Sequence, residues 1–500
     1  MLIYNYIKRI SGFVLGGLIV LGCTDLETEF PDSLPITNTG GTTSGDPAAL
    51  LSTNYNRLGD HIWQDNVMSI LEHPTDEMMG PTRGTDWGDN GIWRQLHQHT
   101  WDPTHNWIRV SWNSLNSLVF VSNQVLGFNP TPEQAAEARF LRAFNMFYGM
   151  DLFGQVPFRE VNEGVEVDPR VFSRAEAFDF IVDDLEQAIP NLPEGMPGAG
   201  NDIAVPPGRA SKAAAYALLA RLYLNKAVYM SDDPAGPYSF DAADMNRVIE
   251  YADLVTASGF SLDENYFENF QDVETTEKIF TTPKSVTAQP EAYYFMGAHY
   301  NMNPSGWNGF VTLADFYNKF DQEDERLGEP NTPGQGFKVG PQVDANGEPI
   351  LNRRGNQLTF TPEVQIAGND DQSGIRVYKY HPDVNIGSLV LLRYADVYLM
   401  KIEAILRGGT ATGGVTAQSM LDELRALRGV ESIPATLENI LDERGRELYW
   451  ERVRRTDQIR FGTYTDTWQE KTVTDPTRIL FPIPQVAIDS NPNLEQNPGY

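Results

Sequence analysis

The chain has 500 residues, 41% of them hydrophobic, and carries 68 acidic against 38 basic side chains, for a formal net charge of −30. This apolar content supports a folded core and excludes disordered, collagen-like and mini-protein classes. Because nucleic-acid binding draws its affinity from Lys and Arg that neutralise phosphates, a chain this acidic is not expected to bind nucleic acid.

The N-terminus has the layout of a secretion signal. Two basic residues precede an apolar stretch from 10 to 21, which is shorter than the roughly 20 residues that a bilayer span needs. Gly22 and Cys23, the only cysteine, follow. A thiol directly after a signal is what bacterial lipoprotein processing modifies with lipid. We therefore predict a lipoprotein signal peptide at 1–22 and lipidation of Cys23; the alternative is an ordinary cleaved signal followed by an incidental cysteine.

Residues 23–46 carry Pro, Gly, Ser, Thr and acidic residues without apolar periodicity. This composition predicts a flexible tether between the lipidated cysteine and the folded body. The body beyond it is expected outside the cytoplasm.

Helical spacing and start signals recur along the body. Thr131-Pro132-Glu133 opens one predicted helix, and Ser173 to Glu176 is a capping box before another. The stretch 208–227 combines alanines with tyrosines on one face, which favours close packing of stacked helical hairpins. Further helices are predicted at about 105–127, 241–257, 390–407, 416–428 and 436–460.

A middle region, about 258–385, is rich in Gly, Pro, Asn and aromatic residues and has few helix signals. Its short alternating pieces, such as the one from Arg376 to Tyr380, predict at most small strands. Asp344-Ala345-Asn346-Gly347 predicts a tight turn, since a calcium loop would need more acidic ligands and a terminal glutamate. No strict repeat aligns, although the helix pairs indicate a degenerate helical-repeat scaffold.

Common catalytic and metal signatures are missing. The sequence contains no G-x-S-x-G, G-x-x-x-x-G-K-[ST], H-E-x-x-H or C-x-x-C. His97, His99 and His105 lie close together, but a zinc site needs three or four ligands with ordered partners, so polar or packing roles are favoured. We therefore predict no metal and no cofactor, and these motifs identify no catalytic residue. A glycosidase needs only two carboxylates about 5 to 10 Å apart, which so many acidic residues leave open.

The tryptophans are unevenly distributed. Six of the nine lie between residues 63 and 112, at Trp63, Trp87, Trp93, Trp101, Trp107 and Trp112. Pro, Gly and Asp interrupt this stretch, so some of these rings are expected on loops. Flat rings stack on the apolar faces of sugars, while carboxylates, amides and guanidinium groups bond the hydroxyls. Residues 81–90 and 303–308 combine both kinds of group, whereas Trp450, inside a predicted helix, is expected in the core.

Four longer blocks are more specific than any short motif. They are EARFLRAFNMFYGMDLFGQVPF at 137–158, GRASKAAAYALLARLYLN at 208–225, LLRYADVYLMKIEAILR at 391–407 and ILDERGRELYWERVRRTDQIRFG at 440–462. With these blocks and the ending LFPIPQVAIDSNPNLEQNPGY, the chain resembles the SusD/RagB family of Bacteroidetes nutrient-uptake outer-membrane lipoproteins.

The resemblance implies a mainly α fold, in which tetratricopeptide-like helix pairs support a large loop-rich region with a few short strands. It divides the body into an N-terminal part, 47–257, with the aromatic loop 63–112, and a C-terminal part, 258–500. The latter would hold a loop-rich insert at 258–385 and closing helices at 390–460. Within the shared blocks, several charged residues are predicted to belong to the scaffold and not to contact ligand. One set has the spacing of polar pairs within a helix or between helices, namely Arg393, Asp396 and Glu403. A second set has the spacing of i, i+3 and i+4 ion pairs, namely Arg444, Glu447, Glu451 and Arg455.

The resemblance also implies a function. Members are non-enzymatic, lipid-anchored proteins that capture an oligosaccharide or polysaccharide, or in some cases a peptide, and deliver it to a SusC-like TonB-dependent outer-membrane transporter. The acidic residues Asp25, Glu27 and Glu29 resemble the pattern of surface-exported lipoproteins, which would place the body outside the outer membrane. Two alternatives stay open, a peptide-capturing lid and, less favoured, a surface glycoside hydrolase.

Ligand contacts in this family come from variable loops. We predict Trp87 and Trp307 as stacking platforms. Their predicted hydroxyl-bonding partners are Arg83, Asp86, Asp89 and Asn308, with Arg376 as a further candidate. Tyr293 and Tyr294 either line the same cleft or are buried.

Overall fold

The computed structural model describes residues 37–39, 42–161, 163–164, 166–194, 196, 208–283, 296–380 and 388–500. The predicted signal peptide, Cys23, the three acidic residues after it, Tyr293 and Tyr294 lie outside these ranges. The chain divides into two compact units, Met1–Gly45 and Asp46–Tyr500. The finer division of the body at residues 257 and 258 stays a prediction.

In the smaller unit, β1 (Thr37–Thr39) pairs with β2 (Thr42–Ser44) in an antiparallel arrangement. The composition of this segment did not predict a strand pair, because polar and glycine-rich stretches are typical of tethers.

The larger unit is mainly helical, as predicted. Its helices are α1 (Pro47–Asn56), α2 (Val67–Glu72), α3 (Ile92–His97), α4 (Asn106–Gly127), α5 (Pro132–Phe153), α6 (Arg174–Ala188), α7 (Lys212–Tyr229), α8 (Ala242–Ala257), α9 (Ala314–Tyr317), α10 (Tyr394–Leu406), α11 (Ala417–Leu427), α12 (Leu437–Leu448), α13 (Arg454–Phe461) and α14 (Gln485–Ser490). Short 3₁₀ turns occur at Arg57–His61, Asp89–Gly91, Ile189–Asn191, Tyr266–Phe270, Glu325–Leu327 and Pro476–Ile479. None of the helices in the described ranges is long and apolar enough to cross a membrane.

The helix starts follow from local chemistry. Thr131 and Ser173 are the N-cap residues that precede α5 and α6, and each forms a complete capping box. Two backbone N–H groups are thereby satisfied at the N-terminus of each helix. Consecutive helices then pack as pairs, α4 against α5, α5 against α6 and α7 against α8. The alanines of α7 are buried, which allows this close approach. The predicted helical-hairpin scaffold is therefore present.

Two predicted helices differ from the structure. The one predicted at 390–407 begins only at Tyr394, because β10 (Val390–Arg393) pairs with β5 (Lys278–Thr281). The one predicted at 436–460 is interrupted between α12 and α13. There Trp450 and Arg452 have positive φ, and their backbone N–H groups bond to the buried carboxylates of Glu77 and Glu72. Trp450 is buried, as expected, but lies in this break rather than in a helix.

The strands of the body are short and pair two by two. β3 (Gln155–Phe158) pairs with β4 (Arg170–Ser173), β6 (Gly336–Lys338) with β9 (Arg376–Tyr378), and β7 (Gly340–Pro341) with β8 (Thr359–Phe360). All three pairs are antiparallel, and β6 to β9, in the middle region, have only two or three residues each, which confirms the prediction of small strands there. Residues 344–347 form the predicted tight turn, in which the Gly347 N–H donates to the Asp344 carbonyl at 3.0 Å.

The charged residues of the shared blocks form a buried network between elements. Glu447 accepts hydrogen bonds from Arg393, Arg428 and Arg326 at 2.9 to 3.1 Å, and all four side chains are fully buried. Burial would raise the pKa of Glu447, but these guanidinium groups hold it well below its ordinary value.

The predicted i, i+3 and i+4 pairing within 444–455 is therefore wrong. Arg444 bonds to Asp396 and Asp457, and Arg455 bonds to Asp151, each at 2.7 Å. The reason is that these side chains point into the core between helices instead of lying along a solvated helix face. Their scaffold role holds, with partners distant in sequence.

Candidate functional site

A cleft of about 530 Å³ lies where the aromatic loop meets the middle region. Its walls carry four indoles and five polar side chains, and these are Trp87, Trp93, Trp107, Trp307, Gln64, Asp65, Thr85, Asp86 and Asp89. Four of the residues predicted from the sequence are thus brought together, namely Trp87, Trp307, Asp86 and Asp89.

Backbone pairing fixes the loop that carries Trp87. Met79 and Val311 exchange two backbone hydrogen bonds, at 2.9 and 3.0 Å, and Arg83 and Asp86 do the same across a tight turn. Gly84, at the tip of that turn, has a φ of 59°, a left-handed conformation that glycine adopts without strain. The loop is therefore joined to the middle region at Met79, and its turn is closed by its own backbone.

Trp87 is held in a fixed position. Its Nε1 donates to the backbone carbonyl of Trp307 at 3.0 Å, and its ring lies 5.2 Å from Phe310 and 5.8 Å from Trp93 between centroids. Its φ of 59° is unusual for a bulky residue. Backbone strain of this kind persists only where the surroundings enforce it, and it clusters at functional sites.

Gly309 makes room for the Trp87 indole. A Cβ at position 309 would lie 2.3 Å from Cζ2 of Trp87 and 2.8 Å from the carbonyl oxygen of Met296. Real Cβ atoms do not approach other atoms so closely, so only glycine permits the observed ring position.

Trp307 forms the exposed rim of the cleft. Its side chain is 58% exposed, although the next two residues are buried. The backbone N–H groups of Asn308 and Gly309 donate to the carbonyls of Ala298 and Met296, at 2.8 and 2.6 Å. The indole therefore projects from a firmly bonded loop and offers a flat apolar face to solvent.

Trp93 and Trp107 continue the aromatic surface. Trp93 is nearly buried and donates from Nε1 to Oδ2 of Asp89 at 2.7 Å. Trp107, in the first turn of α4, is half-buried with its ring 5.8 Å from that of Trp93. The density of tryptophans in this stretch was the only sequence signal for these positions, and Gln64 and Asp65 gave none.

Arg83, Asn308 and Arg376 lie beneath the cleft, and none of them lines it. Arg83 donates from Nε to the Asn308 carbonyl at 3.0 Å and from Nη1 to the Asp370 carbonyl at 2.9 Å. Arg376 donates from Nη2 to Oδ1 of Asn308 at 2.7 Å. All three side chains are buried, so we correct their predicted role from hydroxyl contacts to supports of the two tryptophan loops.

The three carboxylates of the cleft differ in whether another side chain already bonds to them. Asp89 is occupied by the indole N–H of Trp93. Asp65 and Asp86 make no side-chain hydrogen bond or ion pair with any residue that the structure describes. Both are therefore able to accept hydrogen bonds from a ligand.

The three neighbouring histidines are buried and bond to the backbone. His97, His99 and His105 each contact a carbonyl oxygen through Nε2, at 3.0, 2.9 and 3.1 Å. Burial lowers the pKa of each, which keeps the imidazoles neutral. They fasten loops together, and the described ranges contain no group of three or more side chains able to hold a metal ion.

Two protein-family models match the chain. The model described as the SusD family matches residues 370–475 and 463–500, and the model described as starch-binding, associating with the outer membrane, matches residues 50–224. Together they cover more than half of the chain.

Whole-chain relatives agree with these matches. The starch-binding protein SusD of Bacteroides thetaiotaomicron is 28% identical, with 99% of each chain covered, and the SusD-like protein P2 of Formosa agariphila is 23% identical, with 98% of this chain and 99% of its own length covered.

Solved structures share the fold. A laminarin-binding SusD-like protein superimposes with a TM-score of 0.70 at 21% identity, over 91% of this chain and 100% of that one. Surface glycan-binding protein A from Bacteroides thetaiotaomicron, in complex with laminarihexaose, gives 0.68 at 19% identity, over 90% and 98%. The family models, the full-length relatives and the common fold lead to one conclusion: the chain belongs to the SusD family.

Proposed function

We propose that this protein is a non-catalytic glycan-binding protein that captures an oligosaccharide or polysaccharide in the tryptophan cleft. The observation that carries the proposal is the exposed Trp307 indole beside Trp87 and Trp107, with the unpartnered carboxylates of Asp65 and Asp86 in the same cleft.

This arrangement suits the chemistry of sugars. A pyranose ring is apolar on its C–H faces and polar at its edge, so it stacks on an indole and donates its hydroxyl protons to nearby acceptors. Ionised carboxylates accept hydrogen bonds only, and of the three in the cleft two, those of Asp65 and Asp86, make no hydrogen bond with the described residues. The names of the relatives, which bind starch or laminarin, support the same class of ligand.

The proposed setting is the cell surface. The signal layout before Cys23 and the outer-membrane association in the description of one matching family model support a lipid-anchored protein. We further propose that it passes its cargo to a SusC-like TonB-dependent transporter. Binding at an open cleft is then expected to be moderate in affinity, because the cargo must be released.

The energetic contribution of Trp307 is estimated from its exposure. A tryptophan buries up to about 250 Å², so a side chain that is 58% exposed offers roughly 145 Å² to a ligand. A sugar that covers one face removes about half of this area from water, which at about 25 cal/mol per Å² is worth about 1.8 kcal/mol. Trp307→Ala is therefore expected to weaken glycan binding roughly 20-fold.

The test is calorimetric titration of the chain from Thr24 onward, which retains every described residue, against starch, laminarin, other polysaccharides and a peptide digest. Trp87→Ala and Trp307→Ala are compared with Phe120→Ala, which removes an exposed aromatic ring about 20 Å along α4 from Trp107. Glycan binding that is weakened in the two cleft variants, by roughly 20-fold in Trp307→Ala, and unchanged in the control supports the proposal.

Other outcomes distinguish the alternatives. Binding of peptides without glycans would establish a peptide-capturing lid and refute the role of the tryptophans as sugar platforms. Release of reducing ends from a bound polysaccharide, abolished by Asp65→Asn or Asp86→Asn, would establish a hydrolase. The anchor is tested separately by Cys23→Ala, which is expected to move the protein from the membrane fraction to the soluble fraction of expressing cells.

A further inference from the structure

We infer that the tryptophan cleft selects uncharged glycans and rejects those that carry carboxylate or sulfate groups. This inference rests on the proposed function, and it names the class of glycan that the cleft accepts.

The inference follows from the charges that line the cleft. Three of its polar residues are aspartates, the other two are uncharged, and none of the lining residues is a lysine or arginine. No ion pair joins Asp65, Asp86 or Asp89 to any cation in the part of the chain that the structure describes. Contacts among the described residues therefore do not neutralise the negative charge of the cleft.

Arg83 is the cation whose position in the sequence would let it neutralise the cleft, since it precedes Asp86 by three residues. Its guanidinium is turned away, because two of its N–H groups donate to the Asn308 and Asp370 carbonyls. Its charge interacts with Asp370 and Asp371, outside the cleft. The side chain is buried, so a ligand in the cleft does not reach it.

The chemistry of the ligand follows from hydrogen-bonding roles. Ionised aspartates accept hydrogen bonds and donate none, so the hydroxyls of a neutral sugar complement them. A uronate or sulfate group brings oxygens that also only accept, and its negative charge is repelled. The faces of the indole rings add to this repulsion, because the face of an aromatic ring carries the negative part of its quadrupole.

The test compares one glycan in two charge states. Laminarihexaose and maltohexaose are titrated into the chain from Thr24 onward, each alongside the same hexasaccharide oxidised at C6 to uronic acids. For the neutral sugar that binds, we expect the oxidised form to bind at least about tenfold more weakly at 20 mM salt. The difference should shrink to about threefold or less at 0.5 M salt, where the Debye length falls to a few ångströms.

Two double variants, each of which removes two negative charges, test whether the preference for the neutral sugar arises in the cleft. Asp65→Asn combined with Asp86→Asn keeps oxygen acceptors and removes two charges, so the ratio between the neutral and oxidised sugars should fall toward one. Asp232→Asn combined with Glu264→Gln removes two charges at exposed positions outside the cleft and should leave the ratio unchanged.

Each outcome decides between the two proposals. Equal or tighter binding of the oxidised sugar, or an unchanged ratio in the cleft variant, overturns the charge selectivity while glycan capture stands. If neither sugar nor any other glycan binds, both proposals fall.

Discussion

Gly309→Ala tests whether the observed position of the Trp87 indole builds the cleft. The new Cβ would lie 2.3 Å from Cζ2 of Trp87 and 2.8 Å from the Met296 carbonyl oxygen. The backbone at Gly309 does not have positive φ, so alanine itself introduces no conformational strain there. The substitution therefore acts through overlap, and the atoms of the indole ring must move.

The expected loss is about 1 to 3 kcal/mol of unfolding free energy, the usual range for overpacking by one methyl group. If Trp87 is the main obstacle, removing its ring relieves most of this loss. In a Trp87→Ala background, Gly309→Ala should then cost less than about 1 kcal/mol, the remainder arising from Met296. The coupling energy between the two positions is thus expected to be about 1 to 2 kcal/mol.

The assay is urea unfolding of the wild type, both single variants and the double variant, with glycan titration of each folded protein. Gly309→Ala should also weaken glycan binding about as much as Trp87→Ala, because a displaced indole no longer shapes the cleft. A Gly309→Ala penalty of equal size in both backgrounds would refute the packing argument. Unchanged glycan binding in a destabilised Gly309→Ala variant would show that the ring position is irrelevant to the ligand.

Three further predictions concern the body of the protein. Burial lowers the pKa of His61 to about 4 and that of His73 to about 3, from an ordinary value of 6.5. Because the unfolded chain takes up these protons first, the contribution of the two histidines to the free energy of unfolding is complete above pH 6.5 and falls toward pH 3, by up to about 1.4 kcal/mol per pH unit for each. Burial raises the pKa of Glu72 to about 7, which acts in the opposite direction over the same range. Urea midpoints of the wild type between pH 7 and pH 4 are therefore compared with those of His73→Leu, and an identical pH dependence of the two would contradict the histidine contribution. The burial of His73 also predicts that His73→Leu makes the unfolding free energy depend less steeply on pH. Glu447→Gln leaves three buried arginines short of a counter-charge and should cost about 3 to 5 kcal/mol in thermal or urea unfolding, whereas the exposed Glu438→Gln on the same helix should stay within about 0.5 kcal/mol.

The sequence predicted most of the helical scaffold because helix starts are local. Thr131 and Ser173 are capping residues whose partners lie three positions away, so the printed sequence contains the whole signal. The break after α12 could not be predicted in this way. It depends on the buried carboxylates of Glu72 and Glu77, which approach from a segment more than 370 residues earlier.

The candidate site was also predictable only where its signals are local in sequence. The loops that carry Trp87 and Trp307 were identified from composition, since sugar-binding chemistry needs both rings and polar groups. Which polar side chains face the cleft was not predictable. Arg83 and Asn308 bond to each other across 225 positions, and Arg376 joins them from a third segment, so all three turn inward. The sequence does not distinguish Trp107 from the neighbouring tryptophans, because its place on α4 gives no indication of which loops lie opposite.

The contact between the two tryptophan loops determines which fragments of the chain contain the cleft and which substitutions alter it. Trp87 and Trp307 lie 220 residues apart, and a single hydrogen bond from the one to the backbone of the other helps to join the two sides of the cleft. No fragment that lacks either segment contains the cleft, so the cleft forms only when both tryptophan loops have reached their native positions. A ligand that bridged the two loops would stabilise that arrangement by an amount that grows with the logarithm of its concentration above Kd. Apart from Trp107 on α4, the residues that line the cleft lie outside the paired helices, so substitutions in the two loops alter the walls of the cleft and leave the packing of most helix pairs unchanged.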